Sequence, residues 1–173
     1  MRALLVPFVA VALMALAACD DDTLQQNDDA PPERSIVEPG LARLYAGGLS
    51  GADVEAESAC FATGLLDALT LDDLVDAGVV GDDGVVVETA PMLTVDVATA
   101  WVDAAGACAP YPEVAARAEA LRTPGLDEAG FARCLDAAVE PARVHEALVA
   151  SLSGRFDTDP AAAELTAAQE SCR

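Results

Sequence analysis

Hydrophobic and polar residues fall into three successive regions along the chain. An uninterrupted apolar run, Ala3–Ala18, follows Met1-Arg2 at the N-terminus. A polar region rich in aspartate, glutamine and proline covers residues 20–40. After it, apolar residues recur every three or four positions, which is the spacing of one face of an α-helix. The pattern therefore predicts a helical domain over residues 41–173.

Capping residues and helix breakers divide this domain into separate helices. Thr70 followed by Asp73 has the spacing of a capping box, and Gly78 is placed to end that helix. Pro141 and Pro160 suit the first turns of two later helices. In chain order, the predicted helices cover a short segment at 41–45, then 53–69, 70–77, 96–108, 114–121, about 126–138, 141–152 and 160–172.

Residues 79–93 allow two interpretations. Val79-Val80 and Val85-Val86-Val87 flank a Gly-Asp-Asp-Gly turn, so a small β-hairpin is one of them. An apolar loop between helices fits equally well. The aspartates lack the alternating ligands and the twelfth-position glutamate of an EF-hand.

The helical domain contains an internal repeat. Each half consists of a helix with a cysteine, a capped helix, a loop and a helix that ends in a cysteine. At an offset of 74 residues, Cys60, Leu74 and Val75 coincide with Cys134, Leu148 and Val149, and at an offset of 64, Ala98, Trp101 and Cys108 coincide with Ala162, Leu165 and Cys172. We therefore expect an all-α, disulfide-stapled bundle of about six helices, built from two copies of a three-helix repeat. The halves lie at about 53–110 and 126–173.

The apolar run at the N-terminus has the length of the hydrophobic region of a secretion signal. Its sixteen residues are fewer than the roughly 20 that a helix needs to cross a bilayer. The run ends in Leu16-Ala17-Ala18-Cys19, just before three aspartates. These four residues resemble the lipobox of bacterial secreted lipoproteins. The resemblance implies that residues 1–18 are a signal peptide, and that Cys19 becomes a lipid-modified N-terminus.

The same resemblance implies an extracytoplasmic protein anchored in the cell membrane, since two acyl chains give stable association where one does not. An ordinary secreted protein, in which Cys19 is a plain thiol, is the alternative. Residues 19–40 are then the lipidated N-terminus and a disordered acidic stalk, because they offer almost nothing to bury. We interpret the stalk aspartates as a solvated spacer; a sorting signal or a cation site is the alternative.

Four cysteines remain for the helical domain, namely Cys60, Cys108, Cys134 and Cys172. An even number in an exported chain indicates disulfides. Metal binding is the alternative, although the chain has one histidine and no C-x-x-C sequence. Four cysteines allow three connectivities, of which the repeat predicts Cys60–Cys108 and Cys134–Cys172.

The charge balance argues against two classes of partner. Removal of residues 1–18 takes away one of nine arginines and none of the 30 acidic residues, so the mature chain has a net charge of −22 and no lysine. Nucleic acids and anionic bilayer surfaces both favour basic proteins, so we expect neither as a partner. We interpret the charge as a consequence of a high-GC codon bias or a saline habitat; binding of cations or of a basic partner is the alternative.

The pattern over about 53–173, with its paired cysteines and its many alanines and aspartates, also resembles lipoproteins and secreted proteins of high-GC bacteria. This second resemblance implies no activity. It therefore assigns no catalytic, cofactor-binding or metal-binding residue.

Candidate catalytic residues are few in the sequence. His145 is the one histidine, and we interpret it as a surface or partly buried helix residue. Trp101 is interpreted as a core residue rather than a ligand platform. No serine-hydrolase, zinc-protease or phosphate-binding motif occurs, and no cofactor is expected.

Three functions are compatible with the sequence. The first is a non-catalytic binding or interaction module that contacts an envelope protein or polymer, through an exposed patch without a cleft. The second is an envelope-acting hydrolase that uses carboxylates, which requires a deep cleft with converging acids. The third is an acidic cation-binding protein.

Overall fold

The computed structural model describes residues 33–173, and this part of the chain is all-α, as predicted. It contains eight helices: α1 (Arg34–Ala46), α2 (Ala52–Ala68), α3 (Leu71–Asp76), α4 (Val95–Cys108), α5 (Tyr111–Arg122), α6 (Glu128–Ala138), α7 (Pro141–Leu152) and α8 (Pro160–Cys172). The sequence predicted eight helical segments, of which about six were expected to form the bundle. None of the helices α1–α8 is long and apolar enough to cross a membrane. The predicted signal peptide, Cys19 and most of the stalk lie outside the described residues.

Several helices begin where a polar side chain caps the backbone. At α3, Thr70 Oγ1 accepts from the Asp73 backbone N–H at 3.1 Å, and an Asp73 carboxylate oxygen accepts from the Thr70 N–H at 2.9 Å. The predicted capping box is therefore present. Asp127 and Asp159 cap α6 and α8 in a related way, by accepting a backbone N–H of the first turn.

Helix α1 begins at Arg34, so the prediction of a disordered stalk up to residue 40 is wrong for 34–40. Val37 and Leu41 are fully buried, and α1 packs along α2. Arg34 adds an ion pair to Asp67 at 2.7 Å. Pro39 and Gly40 lie inside this helix and argue against it in the sequence, and its packing on α2 supplies the stabilisation that outweighs them.

The eight helices form two halves, each with its own hydrophobic core. Helices α1–α4 surround most of the first core and α5–α8 surround the second. The two helices that the sequence left outside the repeat, α1 and α5, occupy corresponding places, since each packs on the next helix of its half. Each half is thus a four-helix unit rather than a three-helix one.

Each half contains one disulfide, and the two disulfides occupy equivalent positions. Cys60 on α2 bonds to Cys108 at the end of α4, with the Cα atoms 5.8 Å apart. Cys134 on α6 bonds to Cys172 at the end of α8, with a Cα separation of 5.7 Å. The predicted connectivity is confirmed.

The segment 79–93 is a loop with one residue pair in β geometry. Val80 and Val86 form a single antiparallel bridge around the glycine-rich turn. Val79 and Val80 are almost completely buried in the first core, whereas Val85 is exposed. Both interpretations of this segment are therefore partly right, because the turn forms but the pairing ends after one bridge.

Helix α7 joins the two halves. Val149 is buried in the first core, and Leu148 packs against both cores. The backbone N–H of Leu93, at the end of the long loop, donates to the Leu152 carbonyl at 2.9 Å. An ion pair between Glu57 on α2 and Arg117 on α5 makes a further connection between the halves.

Candidate ligand-binding groove

A groove with a volume of about 600 Å³ lies between the two halves. Helix α4 forms one side, and the first turn of α5, the end of α6 and α7 form the other. Tyr45, from the end of α1, completes the wall. Because α4 belongs to the first half and α5–α7 to the second, neither half can form the groove alone.

The lining is mostly apolar and includes three aromatic side chains and three prolines. The residues are Tyr45, Trp101, Val102, Asp103, Ala105, Gly106, Ala109, Pro110, Tyr111, Pro112, Val114, Asp136, Val139, Pro141, Val144, His145, Leu148, Ser151 and Leu152. A concave site of this size with a few polar groups is typical of a small-molecule binding site.

A series of aromatic rings connects the groove to the first core. Trp101 lines the groove and is 8% exposed, and its ring centroid lies 4.9 Å from that of Phe61. Phe61 is fully buried and stacks on Tyr45 at 4.4 Å. The prediction of Trp101 as a core residue is confirmed, and the structure adds that its side chain also faces a cavity.

A histidine–carboxylate pair lies at the edge of the groove. His145 Nε2 on α7 is 2.9 Å from Asp103 Oδ1 on α4, and both side chains are partly exposed. Asp136, exposed at the end of α6, is the other acidic residue in the lining. The lining contains no arginine, so its ionisable groups are two carboxylates, one imidazole and two phenols.

The two tyrosines contribute neutral hydroxyl groups. Burial raises the pKa of Tyr111, and the nearby Arg122 lowers it by less. Burial is also the main cause of the raised pKa of Tyr45, with a smaller contribution from Glu57. Both hydroxyls are therefore protonated at physiological pH. Tyr111 Oη accepts a hydrogen bond from Gln169 Nε2 at 2.8 Å, which fixes its ring orientation.

The groove orients an imidazole but does not activate a nucleophile. Asp103 contacts Nε2 of His145, whereas the carboxylate of a catalytic triad binds Nδ1 and leaves Nε2 facing the nucleophile. Ser151 carries the only aliphatic hydroxyl in the lining, and it donates to the Ala147 carbonyl of its own helix at 2.7 Å. The Asp103–His145 pair therefore connects α4 to α7, in agreement with the interpretation of His145 as a partly buried helix residue.

The other predicted residues lie away from the groove or outside the described range. The four cysteines of the helical domain are consumed in the two disulfides, so none is available as a thiolate ligand. Within residues 33–173, no three histidine, cysteine or acidic side chains come together as a metal site would require. Cys19 is not among the described residues.

Sequence reasoning considered Trp101 and His145 singly and missed the site that brings them together. Tyr45, Tyr111 and Leu148 come from three other parts of the chain. One signal was available, because Pro110 and Pro112 directly follow the end of α4. Prolines at that position start a new helix beside the previous one, which places Tyr111 next to α4.

The fold and the groove define a class: an all-α, disulfide-stapled bundle of two four-helix halves with an apolar groove between them. No known protein family matches the chain, and neither the curated proteins nor the solved structures include a significantly similar one. The function therefore has to be inferred from the groove and the N-terminal sequence.

Proposed function

We propose that this protein is a membrane-anchored lipoprotein with an extracytoplasmic domain that binds an apolar ligand in the groove between its halves, without changing the ligand chemically. The observation that carries the proposal is the groove itself. Its walls are apolar and aromatic, and its volume of about 600 Å³ is in the range that holds a small molecule.

The sequence had suggested interaction through an exposed patch without a cleft. The groove instead favours binding of a ligand in a concave site. Trp101, Val102 and Leu148 offer a concave surface whose burial by an apolar ligand is favourable at roughly 25 cal/mol per Å². The disulfides hold α4 and α8 in their halves. Helix α7 contacts both cores and so fixes the separation of the groove walls, which reduces the entropy cost of binding.

The lipobox-like sequence supports the membrane anchor. Lipid attached to Cys19 would connect to α1 through residues 20–32. A segment of thirteen residues reaches at most roughly 45 Å even when fully extended, so the groove would stay near the membrane surface. An apolar component of the envelope is therefore the class of ligand that this arrangement suits.

The binding part of the proposal is tested by adding a neutral apolar fluorophore, N-phenyl-1-naphthylamine, to a protein that covers residues 20–173. We expect saturable binding that is competitive with non-ionic alkyl ligands. The chain has one tryptophan, Trp101, in the groove wall, so energy transfer from Trp101 to the bound fluorophore reports its location.

A variant that fills the groove gives the decisive comparison. Gly106 lines the groove on α4, and a Cβ placed there meets no other atom within 4 Å. Gly106→Leu should therefore fill the groove without disturbing the fold and weaken binding at least tenfold. Ala107→Leu is the matched control, since Ala107 is an exposed neighbour on α4 outside the lining. Equal affinities for both variants and the parent would contradict a ligand site in the groove.

The anchor is tested separately by intact mass spectrometry of protein purified from the membranes of the native host. We expect a chain that starts at Cys19 and carries acyl groups, and a Cys19→Ser variant without them. A chain cut elsewhere, with an unmodified Cys19, would disprove the anchor but leave the binding test unaffected.

A further inference from the structure

We propose that the ligand of the groove is a cationic amphiphile, a molecule with an apolar body and a positively charged head group. This inference rests on the proposed function. The apolar body would lie along Val102 and Leu148, and the head group would lie at the groove edge, beside Asp103 and Asp136.

The charges at the groove select the sign of the head group. Both acidic residues in the lining are aspartates, and the single basic group, His145, is already hydrogen-bonded to Asp103. Arginines near the groove are paired as well, because Arg117 near Tyr45 forms its ion pair with Glu57. Among residues 33–173, Asp136 forms no ion pair, and Asp103 is paired only with His145. An anionic head group would be repelled by these carboxylates, whereas a cationic one would be attracted to them.

The aromatic lining acts in the same direction. Trp101, Tyr45 and Tyr111 present rings to the groove, and the faces of such rings attract cations, tryptophan most strongly. The net charge of −22 on the mature chain adds a long-range field that attracts positive ligands. The acidic charge, the aromatic rings and the size of the apolar groove thus all favour a cationic amphiphile.

The test compares amphiphiles that share one alkyl chain, each below its micelle-forming concentration. The probes are decyltrimethylammonium, decyl maltoside and decanoate, with tetramethylammonium as a head group that has no body. Trp101 fluorescence reports binding. We expect decyltrimethylammonium to bind at least tenfold more tightly than decyl maltoside, decanoate to bind most weakly, and tetramethylammonium not to bind detectably.

Two variants locate the charge preference. Asp136→Asn and Asp103→Asn should each reduce the preference for decyltrimethylammonium over decyl maltoside by at least threefold. The preference is measured as the ratio of the two dissociation constants, so a change in the groove that affects both ligands equally cancels. Asp96→Asn is the matched control, since Asp96 is an exposed carboxylate on α4 outside the groove lining. It removes the same charge and should leave the preference unchanged.

The outcomes separate this inference from the proposed function. Equal binding of all three decyl compounds would overturn the cationic preference and leave an apolar site intact. An equal loss of preference in Asp96→Asn would overturn it too, because the long-range field would then explain the selectivity. If neither the decyl compounds nor the naphthylamine fluorophore bound, the proposed function itself would be contradicted.

Discussion

At the scale of single residues, two glycines that lie inside helices have opposite roles. Gly40 on α1 is buried, and a Cβ added there would lie 2.5 Å from Val86 Cγ2 and 2.8 Å from Val86 Cβ. The close approach of α1 to the long loop therefore requires glycine. Gly106 on α4 faces the open groove, so its lack of a side chain leaves space for a ligand rather than for packing.

We expect Gly40→Ala to destabilise the protein and Gly106→Ala to stabilise it. Alanine is favoured over glycine in a helix by roughly 1 kcal/mol, which is the whole effect expected at Gly106. At Gly40 that gain is outweighed by overpacking against Val86, which costs typically about 1–3 kcal/mol. Urea unfolding of both variants measures the two signs. Stabilisation by Gly40→Ala would show that the loop around Val86 moves away at little cost.

Glu119 is a nearly buried carboxylate whose charged form is stabilised by hydrogen bonds. Its side chain is 7% exposed and accepts hydrogen bonds from Thr123 at 2.8 Å and from Arg173 at 3.1 Å. The Thr123 hydroxyl, followed by Arg173, lowers the pKa of this carboxyl below its usual 4.5. The folded state therefore favours the ionised form of Glu119.

The sign of the resulting pH dependence follows from linkage. Stability from a carboxyl with a lowered pKa is fully present above its unfolded value of 4.5, and it is lost as the pH falls through the lower folded value. We expect Glu119→Gln to be less stable than the parent at pH 7 and to lose less stability on acidification below pH 4.5. Urea unfolding across this range measures both. Parallel pH profiles for the parent and the variant would argue against this role of Glu119.

At the scale of secondary-structure elements, each disulfide connects the second and the last helix of its four-helix half. The bridges close loops with sequence separations of 48 and 38 residues. In the chain-entropy model, loops of this length correspond to roughly 4 kcal/mol each, and measured values are commonly 2–4. Such a contribution matters in a bundle whose helices bury many alanines, since a small side chain buries little area.

We expect the two disulfides to act on separate halves. The double variant Cys60→Ser/Cys108→Ser should lower the free energy of unfolding by about 2–4 kcal/mol and reduce hydrogen-exchange protection mainly in α2 and α4. Cys134→Ser/Cys172→Ser should have its main effect in α6 and α8. The two variants serve as controls for each other. The same exchange pattern in both would mean that the halves do not respond separately.

At the scale of the whole molecule, Leu148 on α7 holds the two cores together. It packs against both of them and lines the groove, whereas Leu135 is fully buried in the second core alone. The two halves are therefore in contact mainly through α7 and a few other side chains. The groove depends on that connection, because its walls belong to different halves.

We expect Leu148→Ala to reduce hydrogen-exchange protection in both halves and to weaken binding in the groove. Its cost should be about 2 kcal/mol, at the lower end for leucine truncations, because Leu148 is only partly buried. Leu135→Ala should cost more and act mainly on α5–α8. If Leu148→Ala changed protection in the second half only, α7 would not couple the cores.

Local chemistry explains which predictions succeeded. The capping box at Thr70 and Asp73, the stop at Gly78 and the proline starts of α7 and α8 are decided by residues a few positions apart. The disulfide pairing followed from the repeat, which places the four cysteines in equivalent positions. The limits of α1 and α5 could not be predicted in this way, because Val37 becomes a core residue only when α1 packs on α2, and α5 buries alanines that give little periodic signal.

The sequence by itself determined the all-α class, the staples and the acidic charge, since helix periodicity, cysteine spacing and composition are properties of the chain before it folds. Tertiary structure alone decided that each half has four helices and that a groove separates them. The groove wall combines Tyr45, Trp101, Tyr111 and Leu148, which lie up to about a hundred residues apart. Such a surface exists only after two separately packed halves meet, and no local pattern records how they meet.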